Sequence, residues 1–363
     1  MNFNLVAALN GSGYGVVGLN VLKALGRAGH DVAYFSRYVR GPELPLELDE
    51  VSLVMRCLRA QRTMDMDAPC LRISAEDDMT LFAGRGPRGG LAFFETTVFT
   101  EIELRHLRAL DVLFVASEWG REVAIANGLD PSAVVTAPMG VDSAVFTATD
   151  PPAGSRTVFL HIGAWQHRKG QDMILDAFAR AFRPGDPVEL RMLCDNPWAA
   201  IGEERWRDEC RQSPMADHIT IVPRVDGHPE IAELMQNADC GVFPARGEAW
   251  NLEVLEMMAC GRPVIVTDYG GHTEFVTGEN ALLIEIDVLE PAEDPVWMSV
   301  FTRRKAGEWA HLGTRQVDQL VEHLRAVHSR KQAGEVLRND AGIATAARYS
   351  WEHTARRIVA GFE

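Results

Sequence analysis

The sequence predicts an α/β fold of two Rossmann-like domains, and three observations lead there. Short apolar runs alternate with amphipathic segments along the chain, the pattern of βαβ units around a parallel sheet. At 363 residues the chain exceeds the size at which a single hydrophobic core keeps growing. A cluster of turn formers, Thr147-Ala148-Thr149-Asp150-Pro151-Pro152-Ala153-Gly154-Ser155, separates two patterned halves. The expected division is a first domain over residues 1–150, a second over 151–345, and a closing helical segment over 346–363.

In the first half, residues 3–9 form an apolar run suited to a buried strand, and the glycine-rich stretch at 10–15 breaks it. Helical periodicity follows over 16–28 and stops at Gly29, and residues 31–35 read as a second strand. Further strands are expected at 90–94, 112–116 and 133–136, with helices over 101–109 and after Ser117, an N-cap followed by Glu118 and Glu122. Residues 41–87 show no clear period and read as loops.

In the second half, strands are expected at 158–162, 188–193, 219–222, 240–244 and 263–267. Helices are expected at 171–182, 231–237 and 252–260, the last stopped by Gly261.

Acidic side chains outnumber Lys and Arg by 51 to 36, a formal charge of -15, which opposes broad binding to nucleic acid or an anionic membrane. A small basic cluster for phosphate stays compatible with that charge, as does peripheral membrane contact. The N-terminus lacks signal-peptide character and no run is long enough to cross a membrane, so a cytoplasmic protein is expected. The six cysteines are scattered without zinc spacing and read as small buried residues. Asp65-Met66-Asp67 is a literal D-x-D, but it follows no convincing strand and reads as a surface loop, so no metal is expected.

Three stretches carry chemistry. The first, residues 247–256, follows an expected strand and opens an expected helix, with Asn251 as N-cap and Leu252 in the first turn. Such a helix terminus presents unpaired N–H groups and partial positive charge to a diphosphate, while the flanking Glu248 and Glu256 can accept hydrogen bonds from sugar or ribose hydroxyls. Glu253 reads as an ordinary helix-surface charge; without context, so would Glu248 and Glu256.

The second stretch, Gly163-Ala164-Trp165-Gln166-His167-Arg168-Lys169-Gly170, puts two cations between a strand and a helix. Arg168 and Lys169 suit a leaving diphosphate as well as they suit a solvated loop. The third, Gly11-Ser12-Gly13-Tyr14-Gly15-Val16-Val17-Gly18, contains G-x-G-x-x-G, but the next strand ends in Phe35-Ser36-Arg37 rather than in an acid. An arginine there suits NADP, which keeps an NADP-dependent oxidoreductase as an alternative.

Residues 244–265 resemble the Glu-x7-Glu signature of retaining GT-B glycosyltransferases, family 4 in particular, from Pro244-Ala245-Arg246-Gly247-Glu248 to Gly261-Arg262-Pro263-Val264-Ile265. Residues 163–170 resemble that family's Gly-Arg-x-x-x-x-Lys-Gly, 111–118 its strand ending in a serine, and 138–146 its Gly-Val-Asp-x-x-x-Phe element. Tyr269-Gly270-Gly271-His272-Thr273-Glu274 resembles its Gly-Gly-x-x-Glu loop.

The resemblance implies a GT-B fold, two Rossmann-like domains facing each other across a cleft, with the closing helix near Trp351 crossing back to the first. It implies transfer of a sugar from a nucleotide-sugar donor to an acceptor hydroxyl with retained configuration, without metal or other cofactor. Glu248 would contact the transferred sugar and Glu256 the ribose. Lys169, with Arg168 in place of the arginine missing at Ala164, would face the diphosphate. Gly13, Gly15, Asn251, Leu252 and Gly271 would lie along the donor, the backbone near Arg224 would cradle its base, and Glu95 would face the acceptor where many members carry histidine, a reading that stands level with a buried structural acid. Ala249 and Asn251 replace two loop glycines, which keeps open a non-catalytic nucleotide-sugar binding protein.

Overall fold

The structure, a computed structural model, describes residues 1–37, 43–196, 200–225, 227–294 and 307–363. The chain forms two compact units, one of Met1–Gly140 with Tyr349–Glu363 and one of Val141–Arg348. Each is built on a parallel six-stranded sheet.

In the first unit β1 (Asn2–Ala7), β2 (Asp31–Ser36), β3 (Cys70–Ala75), β4 (Arg88–Phe93), β5 (Val112–Val115) and β6 (Val134–Thr136) lie in the order β2-β1-β3-β4-β5-β6. The helices are α1 (Gly13–Arg27), α2 (Leu48–Ala60), α3 (Glu101–Arg108) and α4 (Glu118–Ala126), and Ser117 caps α4 by accepting from the Gly120 N–H. Helix α1 begins three residues before its expected start, because the Ser12 side chain accepts from the Gly15 N–H and draws the glycine-rich stretch into the first turn.

Helix α2 and strand β3 occupy the stretch expected to be loops. Strand β3 escapes the apolar pattern because Arg72 and Ser74 are buried within it. The Arg72 Nη2 lies 2.8 Å from the Asp78 carboxylate, a partner that hydropathy does not reveal. Helix α2 starts in a Glu47/Glu50 capping box, but exposed Leu48, Val51 and Met55 blur its amphipathic period.

In the second unit β7 (Thr157–Ile162), β8 (Val188–Leu193), β9 (Ile219–Ile221), β10 (Cys240–Phe243), β11 (Val264–Thr267) and β12 (Leu282–Ile284) lie in the order β12-β11-β10-β7-β8-β9. Helices α5 (Gln171–Ala181), α6 (Ala200–Gln212), α7 (His228–Gln236), α8 (Leu252–Ala259), α9 (Thr314–Gln332) and α10 (Asp340–Ala346) accompany them. Strand order reverses between β7 and β10, and in the first sheet between β1 and β3. In open parallel sheets such switch points leave a crevice at the carboxyl ends of the strands.

Helix α11 (Trp351–Gly361) returns to the first unit, where Thr354 Oγ1 donates to the Pro138 carbonyl (2.6 Å) and the Phe362 ring meets Phe114 and Phe3. All six cysteines are buried and free.

The turn-rich stretch at 147–155 stays with the second unit. Fully buried Arg262 holds it by donating to the carbonyls of Thr149 (3.0 Å), Asp150 (2.9 Å) and Gln236 (2.8 Å) and to Thr149 Oγ1 (2.6 Å). Removing one donor fork would leave several buried acceptors unpaired. Arg262→Ala is expected to cost about 2–4 kcal/mol in urea unfolding, without change in the β-sheet signature of the folded protein.

Candidate functional site

The loops after β7 and β10, on either side of the switch point in the second sheet, are bound to each other through their backbones. The Arg246 N–H donates to the Arg168 carbonyl (2.7 Å). Gly170 sits at φ +74, and a Cβ there would lie 2.1 Å from the Pro244 carbonyl oxygen, so no side chain fits. Residues His167–Lys169 form one 3-10 turn, closed by the Lys169 N–H to Gln166 O (2.9 Å) and the Gly170 N–H to His167 O (3.1 Å). The loop after β11 joins them: the Gly271 N–H donates to Glu248 O (2.6 Å), and a Cβ on Gly271 would meet Ala249 O at 1.8 Å.

This lacing brings the charges together. Glu248, 6% exposed, places Oε1 2.7 Å from Lys169 Nζ and 2.9 Å from Arg168 Nη1. Arg168 also donates to Gly247 O (2.6 Å) and Gln166 Oε1 (3.2 Å). Burial works to raise the Glu248 carboxyl, but the Arg168 and Lys169 charges outweigh it and hold the group down at about 2. Burial likewise opposes the charge on Lys169, and Glu248 and Glu253 overcome it and raise its pKa. All three groups are therefore charged at neutral pH. Glu253 is not the solvated surface charge expected of it, since its Oε1 lies 3.4 Å from Lys169 Nζ.

Asn251 also departs from expectation. It occupies the N-cap position of α8 in the left-handed region (φ 74), a conformation asparagine tolerates better than most residues, and its side chain does not cap the helix. Its Oδ1 is buried without a hydrogen-bond partner among the described residues. The α8 N-terminus beginning at Leu252 is thus left without a side-chain cap, as an anion-binding terminus requires. Glu256 lies one turn on; burial first, then the charges of Glu253 and Asp142, push its carboxyl well above the usual range.

Comparison with known proteins bears on this arrangement. The profile of glycosyl transferases group 1 matches residues 156–294, the stretch holding Arg168, Lys169, Glu248, Glu253 and Glu256. A D-inositol 3-phosphate glycosyltransferase of Jonesia denitrificans is 31% identical over 258 residues, 64% of this chain and 52% of the relative. Another, of Stackebrandtia nassauensis, is 29% identical over 247 residues, 64% and 49%.

Residues 156–294 are thus similar to the glycosyl transferases group 1. The chain spans about half the length of the curated relatives it matches. Among solved structures, Anabaena Alr3699/HepE in complex with UDP-glucose aligns at TM-score 0.69 and 15% identity, over 99% of this chain and 98% of that one. Sucrose-phosphate synthase (tll1590) from Thermosynechococcus elongatus aligns at 0.69 and 16%, over the same shares. With its two parallel six-stranded sheets, the chain has the GT-B fold.

Beneath the charge cluster lie further buried polar residues. His161 on β7 hydrogen-bonds through Nδ1 to the Val242 carbonyl (2.7 Å); since a carbonyl only accepts, Nδ1 carries the proton and Nε2 accepts from Gln171 Nε2 (3.2 Å). Burial lowers the His161 pKa to about 4, so it stays neutral. Gln171 also donates to Ala164 O (2.8 Å), anchoring the loop where the family's arginine is missing. His272 is fully buried and bonded through Nε2 to Thr267 O (2.6 Å).

Other expected residues lie apart from this cluster. Arg224, exposed on the loop after β9, pairs with Asp195. Gly13, Gly15 and Glu95 belong to the first unit, at the carboxyl ends of β1 and β4. A Cβ on Gly15 would lie 2.1 Å from Asn10 O, whereas Gly13 has open space. Arg37, on which an NADP site would depend, is instead paired with Asp78 (2.7 Å). Asp67 pairs with Arg85 and Asp65 accepts from Asn2 in an exposed loop.

The two glutamates are expected to act on stability with opposite signs. Glu248, depressed from 4.5 to about 2, contributes stability present above the unfolded-state pKa and lost as pH falls toward 2; Glu248→Gln should flatten that acid limb in urea unfolding curves. Glu256, raised, opposes folding increasingly as pH climbs above the ordinary carboxylate range. Glu256→Gln is expected to stabilise the ligand-free protein at neutral pH and to leave its stability unchanged near about pH 3.

Proposed function

We propose that this protein is a retaining glycosyltransferase that moves a sugar from a nucleotide-sugar donor to an acceptor hydroxyl. The observation that carries the proposal is the buried Glu248–Arg168–Lys169 cluster beside the uncapped N-terminus of α8, at the switch point of the second sheet. A diphosphate would lie against that terminus, with Arg168 and Lys169 stabilising the negative charge that builds as the glycosidic bond breaks. Glu248 would accept from hydroxyls of the transferred sugar and Glu256 from the ribose. A raised Glu256 pKa fits a carboxyl whose ionised form needs such donors. The UDP and UDP-glucose complexes of Alr3699/HepE support a donor of this class, and the group 1 profile supports sugar transfer as the chemistry.

Retention is what the resemblance to family 4 implies. A carboxylate held near pKa 2 by two cations is a weak base and a poor nucleophile, which argues against a covalent intermediate on Glu248 and leaves departure of the diphosphate with attack from the same face as the course that resemblance implies. The fixed cations and the helix terminus supply the charge stabilisation that a metal provides elsewhere, so transfer should persist in a chelator. The first unit would carry the acceptor and the second the donor, as the resemblance implies. The nucleobase would lie along the backbone near Arg224 and the loop of Gly271 beside the nucleotide.

Donor hydrolysis or transfer in Lys169→Ala and Glu248→Gln tests the assignment. Each should fall by roughly 10²-fold or more in kcat/KM. Wild-type rates in both would overturn it, and donor binding without turnover across a broad acceptor panel would favour a binding protein.

A further inference from the structure

We propose that Arg246 is a positioning residue that sets the geometry of Arg168 and Lys169 through the backbone of their turn, with Asp172 holding it in place. The functional consequence rests on the nucleotide-sugar reading above; the geometric claim does not.

Arg246 is 4% exposed and carries its charge where it cannot serve a ligand directly. Its guanidinium is spent on Asp172, Nη1 to Oδ1 at 2.9 Å and Nη2 to Oδ2 at 2.8 Å, a two-pronged pairing, while Nη1 also donates to the His167 carbonyl at 2.6 Å. Its own N–H donates to Arg168 O (2.7 Å), and its carbonyl accepts from the Ala310 N–H (2.8 Å). Nε lies 3.4 Å from Glu290, and the His167 N–H is held by Asp294 (3.0 Å). The turn bearing both site cations is thus fixed at His167 O and Arg168 O by one side chain and its own peptide group.

Asp172 stands in the first turn of α5, three residues after Lys169, so the clamp ties the turn to the helix that follows it. The distance between a productive and an unproductive cation is of the order of 1 Å. Lysine cannot replace this arrangement, because one ammonium cannot reproduce a planar fork that meets both carboxylate oxygens and a carbonyl.

The test uses Arg246→Lys, Lys169→Ala and the double variant, with hydrogen exchange of the peptide spanning residues 166–171 and calorimetric affinities for UDP, GDP and ADP. In Arg246→Lys, exchange at the Lys169 and Gly170 amides should accelerate about tenfold while peptides of the first sheet stay as in wild type. Affinity for the diphosphate that wild type binds best should fall about tenfold. The double variant should lose less than the product of the two single losses, because Arg246 acts in part through that cation.

Unchanged exchange at those two amides, or losses that multiply in the double variant, would overturn the proposal. Should Arg246→Lys not fold, Asp172→Asn, which keeps the shape and removes the counter-charge, gives the same readouts with the same expected direction. If wild type binds none of the three diphosphates, the nucleotide reading falls, and the exchange result alone decides the role of Arg246.

Discussion

The second unit is organised around a buried carboxylate that two cations must reach at once. Glu248 stands on the loop after β10, Arg168 and Lys169 on the loop after β7, and adjacency of those strands in the sheet brings them within 3 Å. An unpaired charge at that depth would cost several kcal/mol, so each partner requires the other two. The backbone follows from that requirement. Gly170 and Gly271 lie where a Cβ would strike a neighbouring carbonyl, and Asn251 adopts a left-handed conformation, so the three loops approach more closely than ordinary residues permit.

Polar groups stacked beneath the cluster keep it rigid. His161 is neutral with a defined tautomer, Gln171 joins it to Ala164, and His272 ties the third loop to the end of β11. None of these groups offers a free charge to a ligand. Such a base preorganises the charges above it.

The regular elements were legible where apolar period and punctuation agree. Strands β7, β8, β10 and β11 and helices α3, α5 and α8 fall within a residue or two of their expected limits, since each is bounded at one end by Gly, Pro or a capping residue. Strand β3 was not, because its buried Arg72 is neutralised by a residue outside the strand. The site divides in the same way. Glu248, Arg168, Lys169 and the start of α8 follow from short motifs, whereas Arg246, Asp172, Gln171 and His161 carry no local pattern that separates them from ordinary loop, helix and strand residues.

The sequence by itself determined the α/β class, the two-part organisation, and the family resemblance carried by the Glu-x7-Glu and Lys-Gly stretches, because these depend on spacing along one segment. Only the tertiary structure decided which charges meet. That Glu253 reaches Lys169, that Asn251 leaves α8 uncapped, that Arg37 is engaged by Asp78, and that Glu248 and Glu256 are shifted in opposite directions all arise from groups far apart in the chain or from burial. Electrostatic fate is set by distance and desolvation in space, and no local arrangement of residues encodes either.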